Sequence, residues 1–219
     1  MDISGIYPNS NLLENYRPIS ILPYFSKILE KCIYSRIYNF FVSKNLFSSQ
    51  QFGFLRGRST EQAVGQFLKF LYRVLDNREF SLNIFVDLRK AFDTVNHRIL
   101  LKKLKLYGIR GNSLQLFNSY LSNRRQYVKI GNYSSNSQSI ESGVPQGSIL
   151  GPILFLVFIN DLPNISDKFT TVLYADDTTI SFSNKCFHSL VSICNSELVK
   201  FNDWCISNKL TINSNKLFI

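Results

Sequence analysis

Three aspartates stand where apolar, strand-forming runs end or meet, and this placement limits the folds open to the 219-residue chain more than any other feature. Residues 81–88 (SLNIFVDL) are a largely apolar run with strand character, and Asp87 lies at its end. Residues 171–182 (TVLYADDTTISF) read as two short β-rich runs meeting at Asp176 and Asp177, a hairpin with acids at or near its turn. An acid flanked by apolar strand residues is costly unless it is paired or metal-bound. Three carboxylates brought together would resist full ionisation. Divalent cations relieve both problems: two Mg²⁺ ions roughly 3.5–4 Å apart clamp the attacking and leaving oxygens of a phosphoryl transfer. Mg²⁺ prefers a few carboxylates completed by phosphate and water. An Asp-Asp pair also suits an ordinary turn, so these residues alone leave both readings open.

The remaining elements follow from periodicity. Residues 28–42 have helical spacing, with Ile28, Leu29, Cys32, Ile33, Ile37, Phe40 and Phe41 on one side. Thr60 is placed to cap a second helix running to about Leu75. After Asp87 the period changes: Phe92, Val95, Ile99, Leu100 and Leu104 fit one helical face, which Gly108 ends. A third helix is expected over 114–121, then a strand in RRQYVKIG, then a Gly- and Ser-rich loop over 139–151. Pro152 suits the first turn of a helix over 153–159, which is apolar on every side and therefore buried. An amphipathic helix through Leu190, Cys194, Phe201 and Cys205 precedes a β-prone tail. From residue 81 onward this order suits an α+β fold with a split β-α-β sheet covered by helices on one face.

A composition that is 45% hydrophobic and 18% charged excludes a disordered tail. The net charge of +10 favours a polyanionic partner, nucleic acid ahead of an anionic membrane. Cys186, His188, Cys194 and Cys205 lack zinc-site spacing, and all four cysteines, Cys32 included, read as reduced thiols buried in an intracellular protein. The first residues do not resemble a secretory signal, and the longest apolar run, 153–159, is too short to span a bilayer. The chain is expected to be soluble.

Six segments then carry a resemblance, in order along the chain: YRPISILP (16–23), QFGFLRGRST (51–60), FVDLRKAFD (85–93), GVPQGSILGP (143–152), YADD (174–177) and NKLTINSNK (208–216). Together they resemble the reverse transcriptases of non-LTR retrotransposons, the jockey-like branch in particular. The resemblance implies a right-hand polymerase fold, with fingers over 1–80 and part of about 110–147, a ferredoxin-like palm over 81–219, and the thumb missing. It implies an RNA-directed DNA polymerase that uses two Mg²⁺ ions, with Mn²⁺ as an alternative, on an RNA template, a DNA primer and deoxynucleoside triphosphates. The alternative is a truncated, inactive remnant that only binds nucleic acid. The chain is expected to be a piece of a longer polyprotein acting in the nucleus, with no membrane partner.

The resemblance also assigns roles. Asp87, Asp176 and Asp177 would be catalytic metal ligands, Asp87 and Asp176 the two main ones and Asp177 a third, more peripheral acid, and Lys216 the acid that protonates leaving pyrophosphate. Arg17 would hold the triphosphate, and Arg58, with Arg56, the triphosphate or template. Phe92 would lie beneath the sugar and exclude a 2′-OH. Gln146 would touch the incoming nucleotide, Gly147 would let backbone approach it, and Ser148 would cap a helix. Asp93, Asn96 and His97 would brace the palm helix.

Overall fold

The computed structural model describes residues 19–213 together with Phe218. Its sheet is built on strand β1 (Phe80–Val86), which pairs antiparallel with β7 (Asp177–Asn184), and β7 pairs antiparallel with β6 (Thr170–Tyr174). Cross-strand partners share a face. The rows Leu82/Phe182, Ile84/Ile180/Thr171 and Val86/Thr178/Leu173 therefore line one face, and nearly all are buried. The row Phe85/Thr179/Val172 lies on the opposite, more open face. The pairing register is thus the physical divide between core and cleft.

Both sheet edges are covered. Beside β6, Phe52 N–H donates to the Leu173 carbonyl (2.8 Å) and Leu173 N–H to that of Gln50 (2.9 Å), a short parallel addition. Beside β1, Phe218 and Phe85 exchange backbone bonds, and Asn213 N–H donates to the Asp87 carbonyl (2.9 Å). The lateral order is tail, β1, β7, β6, then residues 50–52, which matches the strand order of a split β-α-β unit.

Among the described residues there are six α-helices, of which α2 and α6 pack most closely on the strands: α1 (Tyr24–Ser43), α2 (Thr60–Asp76), α3 (His97–Leu106), α4 (Gly111–Leu121), α5 (Leu150–Ile159) and α6 (Phe187–Ser207). The all-apolar α5 is the hub, with nine of its ten residues buried, and it packs against α1 and α3. Pro152 occupies its first turn, as expected. Among the described residues no helix is long and apolar enough to cross a membrane.

Several expectations need correction. The cap of α2 is Ser59 rather than Thr60: Ser59 and Gln62 form a reciprocal capping box. Helix α3 starts at His97, because Asn96 accepts from Ile99 N–H and the preceding residues turn back, with Asp93 N–H bonded to the Lys90 carbonyl. Phe92 and Val95 reach the core from that turn, which mimics helical spacing. RRQYVKIG is not one strand but two short ladders: β2 (Arg125–Gln126) pairs with β5 (Gln138–Ser139), and β3 (Lys129–Ile130) with β4 (Tyr133–Ser134). Helix α1 turns Glu30, Ile33, Ile37 and Phe41 inward and leaves Ile28, Leu29 and Cys32 exposed. Cys186 is exposed too, whereas Cys194 and Cys205 are buried and burial pushes the Cys205 thiol up to about 12.

Glu30 explains the inward face of α1. Helix α5 has no cap from its own N-cap residue, and the buried Glu30 carboxylate supplies one from a distance. Its Oε2 accepts from Ile149 N–H (2.7 Å) and Leu150 N–H (3.3 Å), and its Oε1 from the Tyr120 hydroxyl (3.0 Å). A carboxylate at a helix N-terminus also meets the positive end of the helix dipole. Ser148 completes the cap by accepting from Gly151 N–H (2.8 Å), as the sequence suggested. Glu30→Ala strands these buried donors and is expected to cost about 2–4 kcal/mol in urea unfolding. Burial raises the Tyr120 phenol to about 12. Its contribution to stability is therefore full below about pH 10 and lost as pH rises towards 12; Tyr120→Phe is expected to remove that alkaline loss from a pH series of melting curves.

Candidate active site

The last β1–β7 pair is Val86 with Thr178. One step further, the same register sets Asp87 beside Asp177 on the open face of the sheet. Both line a cleft of ≈ 380 Å³ with Phe85, Thr179 and Phe218. Asp177 pairs across β6–β7 with Tyr174, so Ala175 and half-buried Asp176 are the two turn residues between them. Two strands and one tight turn thus deliver all three acids to the same end of the sheet. The tail fixes Asp87 on its other side, where Asn213 Nδ2 donates to its Oδ2 (2.8 Å).

The turn itself is strained and externally supported. Ala175 has φ +55°, a left-handed conformation that two-residue hairpins usually give to glycine or asparagine. Its N–H donates to Gln51 Oε1 (3.0 Å), which also accepts from Gly53 N–H (2.7 Å). Gly53 lies so close that a Cβ there would sit 2.2 Å from the Ala175 nitrogen. The loop before α2 therefore acts as a mould for the aspartate turn. Arg58 sets that loop, donating through Nη1 to the carbonyls of Ser49 and Gln51 and stacking over Phe52.

Phe92 stacks on Phe155 of α5 (centroids 4.6 Å apart) and meets Phe54 edge-on (6.1 Å). It is half-buried, and its rigid surroundings suit a floor for a planar or sugar-sized group. Asp93 accepts from Gln146 Nε2 (2.9 Å), and His97 Nε2 bonds the Gly143 carbonyl (2.8 Å). Asp93, Asn96 and His97 therefore brace the turn ahead of α3, in line with the sequence reading. The Gln146 carbonyl accepts from Ser20 N–H (2.8 Å). Gly147 has φ +90°, and a Cβ there would meet Ile19 at 3.1 Å. The close approach expected at Gly147 is made, within this structure, by residues 19 and 20. Arg56 is exposed, over the Tyr38 ring (5.1 Å). Arg17 and Lys216 lie outside the described residues.

The carboxylates present only hard oxygen donors. Among the described residues, no group of three His, Cys, Asp or Glu side chains is placed to hold a metal ion. The hard oxygens of Asp87 and Asp177 in the cleft suit an ion completed by phosphate and water, which is the usual mode for Mg²⁺.

The residues that sequence reasoning missed are Gln51, Gly53 and Asn213. All three fall within motifs that stood out, but their partners are distant in sequence. Gly53→Ala forces its Cβ against the Ala175 backbone and is expected to lower the melting temperature by several degrees, on the order of 1–3 kcal/mol for overpacking. Gln51→Met keeps the volume and removes the acceptor, and is expected to cost about 1–3 kcal/mol by the same measurement.

Comparison with known proteins accords with this geometry. Residues 7–219 match the family described as reverse transcriptase (RNA-dependent DNA polymerase). The chain is 33% identical over 216 residues to a probable RNA-directed DNA polymerase from transposon BS of Drosophila melanogaster, covering 93% of this chain and 23% of that protein. It is 31% identical over 214 residues to the RNA-directed DNA polymerase from mobile element jockey of the same organism, again covering 93% and 23%. The chain thus spans about a quarter of the length of these relatives. Among solved structures, apo telomerase from Candida tropicalis has a similar fold, with a TM-score of 0.60 at 14% identity over 89% of this chain and 37% of that one. Telomerase from Candida albicans gives 0.59 at 13% identity over 89% and 35%.

Proposed function

The chain belongs to the reverse transcriptase (RNA-dependent DNA polymerase) family, and on that premise we propose that it is the catalytic core of a non-LTR retrotransposon enzyme, joining deoxynucleotides to a DNA primer on an RNA template. The observation that carries this reading is the β1–β7 register, which sets Asp87 and Asp177 on one open face with Asp176 at the adjoining turn. Residues 81–219 form the palm in this reading, and residues 1–80 with part of 110–147 the fingers.

Asp87, Asp176 and Asp177 would hold two Mg²⁺ ions, or Mn²⁺ in their place, which lower the pKa of the primer 3′-OH and neutralise charge on the pyrophosphate. The 3′ hydroxyl gives up its proton to water, and its oxygen attacks the α-phosphorus of the bound triphosphate as the bond to pyrophosphate breaks. Base pairing with the template selects the nucleotide. The chain's own contribution is position and charge. Asn213 orients Asp87, and Gln51 and Gly53 hold the turn that carries Asp176. Phe92, backed by Phe155 and Phe54, lies under the sugar and excludes a 2′-OH. Arg17 binds the triphosphate through its guanidinium fork, and Arg58 lends charge from the loop that it fixes. Gln146 contacts the incoming nucleotide, and Gly147 lets backbone come close to the template or nucleotide. Lys216 gives the proton that the leaving pyrophosphate takes up.

Extension of a DNA primer on an RNA template, with Mg²⁺ and deoxynucleotides, tests the reading. Asp176→Asn is expected to lower the rate at least about a thousandfold, roughly 4 kcal/mol of transition-state stabilisation, with an unchanged melting curve. Wild-type extension by that variant would refute the site. Binding of primer-template without extension by the parent chain would mark it as the non-catalytic alternative.

A further inference from the structure

Residues 125–139 are exposed without a break and form the β2–β5 and β3–β4 ladders, a hairpin arm. A hairpin packed on neither face is marginal in water, so a partner is the natural source of its order. Between residues 122 and 140 stand Arg124, Arg125 and Lys129 and not one Asp or Glu. Tyr127 is 62% exposed and Tyr133 85%. Arg125 is held across the arm, with Nε bonded to the Ser137 hydroxyl and Nη2 to the Ser137 carbonyl (both 3.2 Å). The arm's direction is also fixed. Its root is tied to the turn ahead of α3: Ser142 Oγ donates to the Asp93 carbonyl (3.2 Å) and Gly143 N–H to the Val95 carbonyl (2.8 Å). The same stretch continues to Gln146, which bonds Asp93 beside Phe92.

We propose that this arm is a docking surface for the sugar-phosphate backbone of the primer-template, with Arg125 and Lys129 facing phosphates and Tyr127 and Tyr133 giving ring faces to unpaired bases. The inference rests on the polymerase reading of the site. Unbalanced cations on an exposed element select a polyanion, and exposed aromatics add stacking that is indifferent to base identity. Val128 and Ile130 make another protein segment the competing occupant, but the arm's cations have no acid between residues 122 and 140 to balance them, which favours the polyanion.

The test uses the full chain and a labelled DNA primer annealed to a longer RNA template, with the dissociation constant followed across a salt series. The double variant Arg125→Gln/Lys129→Gln is expected to bind about tenfold or more weakly at physiological salt. The slope of log affinity against log salt should flatten by about 1.4–1.8, the release of counterions at two phosphates. The second variant, Tyr127→Ala/Tyr133→Ala, is expected to weaken binding with the slope unchanged. Melting curves should match the parent in both. Unchanged affinity and slope in the first variant overturn the proposal, as does a parent chain that shows no saturable binding. Loss of extension in Asp176→Asn with this binding pattern intact supports the arm. Failed extension by the parent chain, with the binding pattern as expected, defeats the catalytic reading and leaves the arm standing.

Discussion

Everything at the candidate site depends on the pairing register between β1 and β7. A one-residue slip would turn Asp87 to the core face and Ile84 and Val86 to the cleft. The register is held by the burial of Ile84, Val86, Ile180 and Phe182 on one face. The same contacts that make the core therefore set the distance between two strand-end acids. In this fold, stability and chemistry share one geometric cause.

Helix α5 supplies the second constraint. It is too apolar to end in water, and its N-terminus lies inside the protein, directly after the loop through Gln146. Glu30 from α1 and Ser148 from its own loop satisfy it. Phe155 of α5 then backs Phe92. The cap, the hub helix and the aromatic floor thus form a chain of contacts from the first helix to the site, and a parallel one runs from Arg58 through Gln51 to the Ala175 turn.

The strands were legible as apolar, β-prone runs that end or meet at acids, but those residues alone suited an ordinary turn as well as a metal site, and only the six ordered motifs pointed to the second. The hub helix was legible because nothing polar interrupts it. The supports were not. Gln51 and Ala175 are 124 residues apart in the chain, and Glu30 and Ile149 are 119 apart; no local pattern shows such pairings. Phe92 misled because a turn and a helix that face the same core leave the same apolar spacing. Ile28, Leu29 and Cys32 misled because α1 has apolar residues on two faces, and the acid cap decided which turned inward.

The central claim is that Asp87 and Asp177 act as one site because the register places them side by side. The most direct measurement is Mn²⁺ binding, followed by electron paramagnetic resonance with primer-template and a deoxynucleoside triphosphate present. It would compare the parent chain with Asp87→Asn, Asp177→Asn and the double variant. A shared site predicts strong non-additivity, with the double variant scarcely worse than the more damaging single one. Losses that simply add would show that the two carboxylates bind ions independently, and would contradict the account.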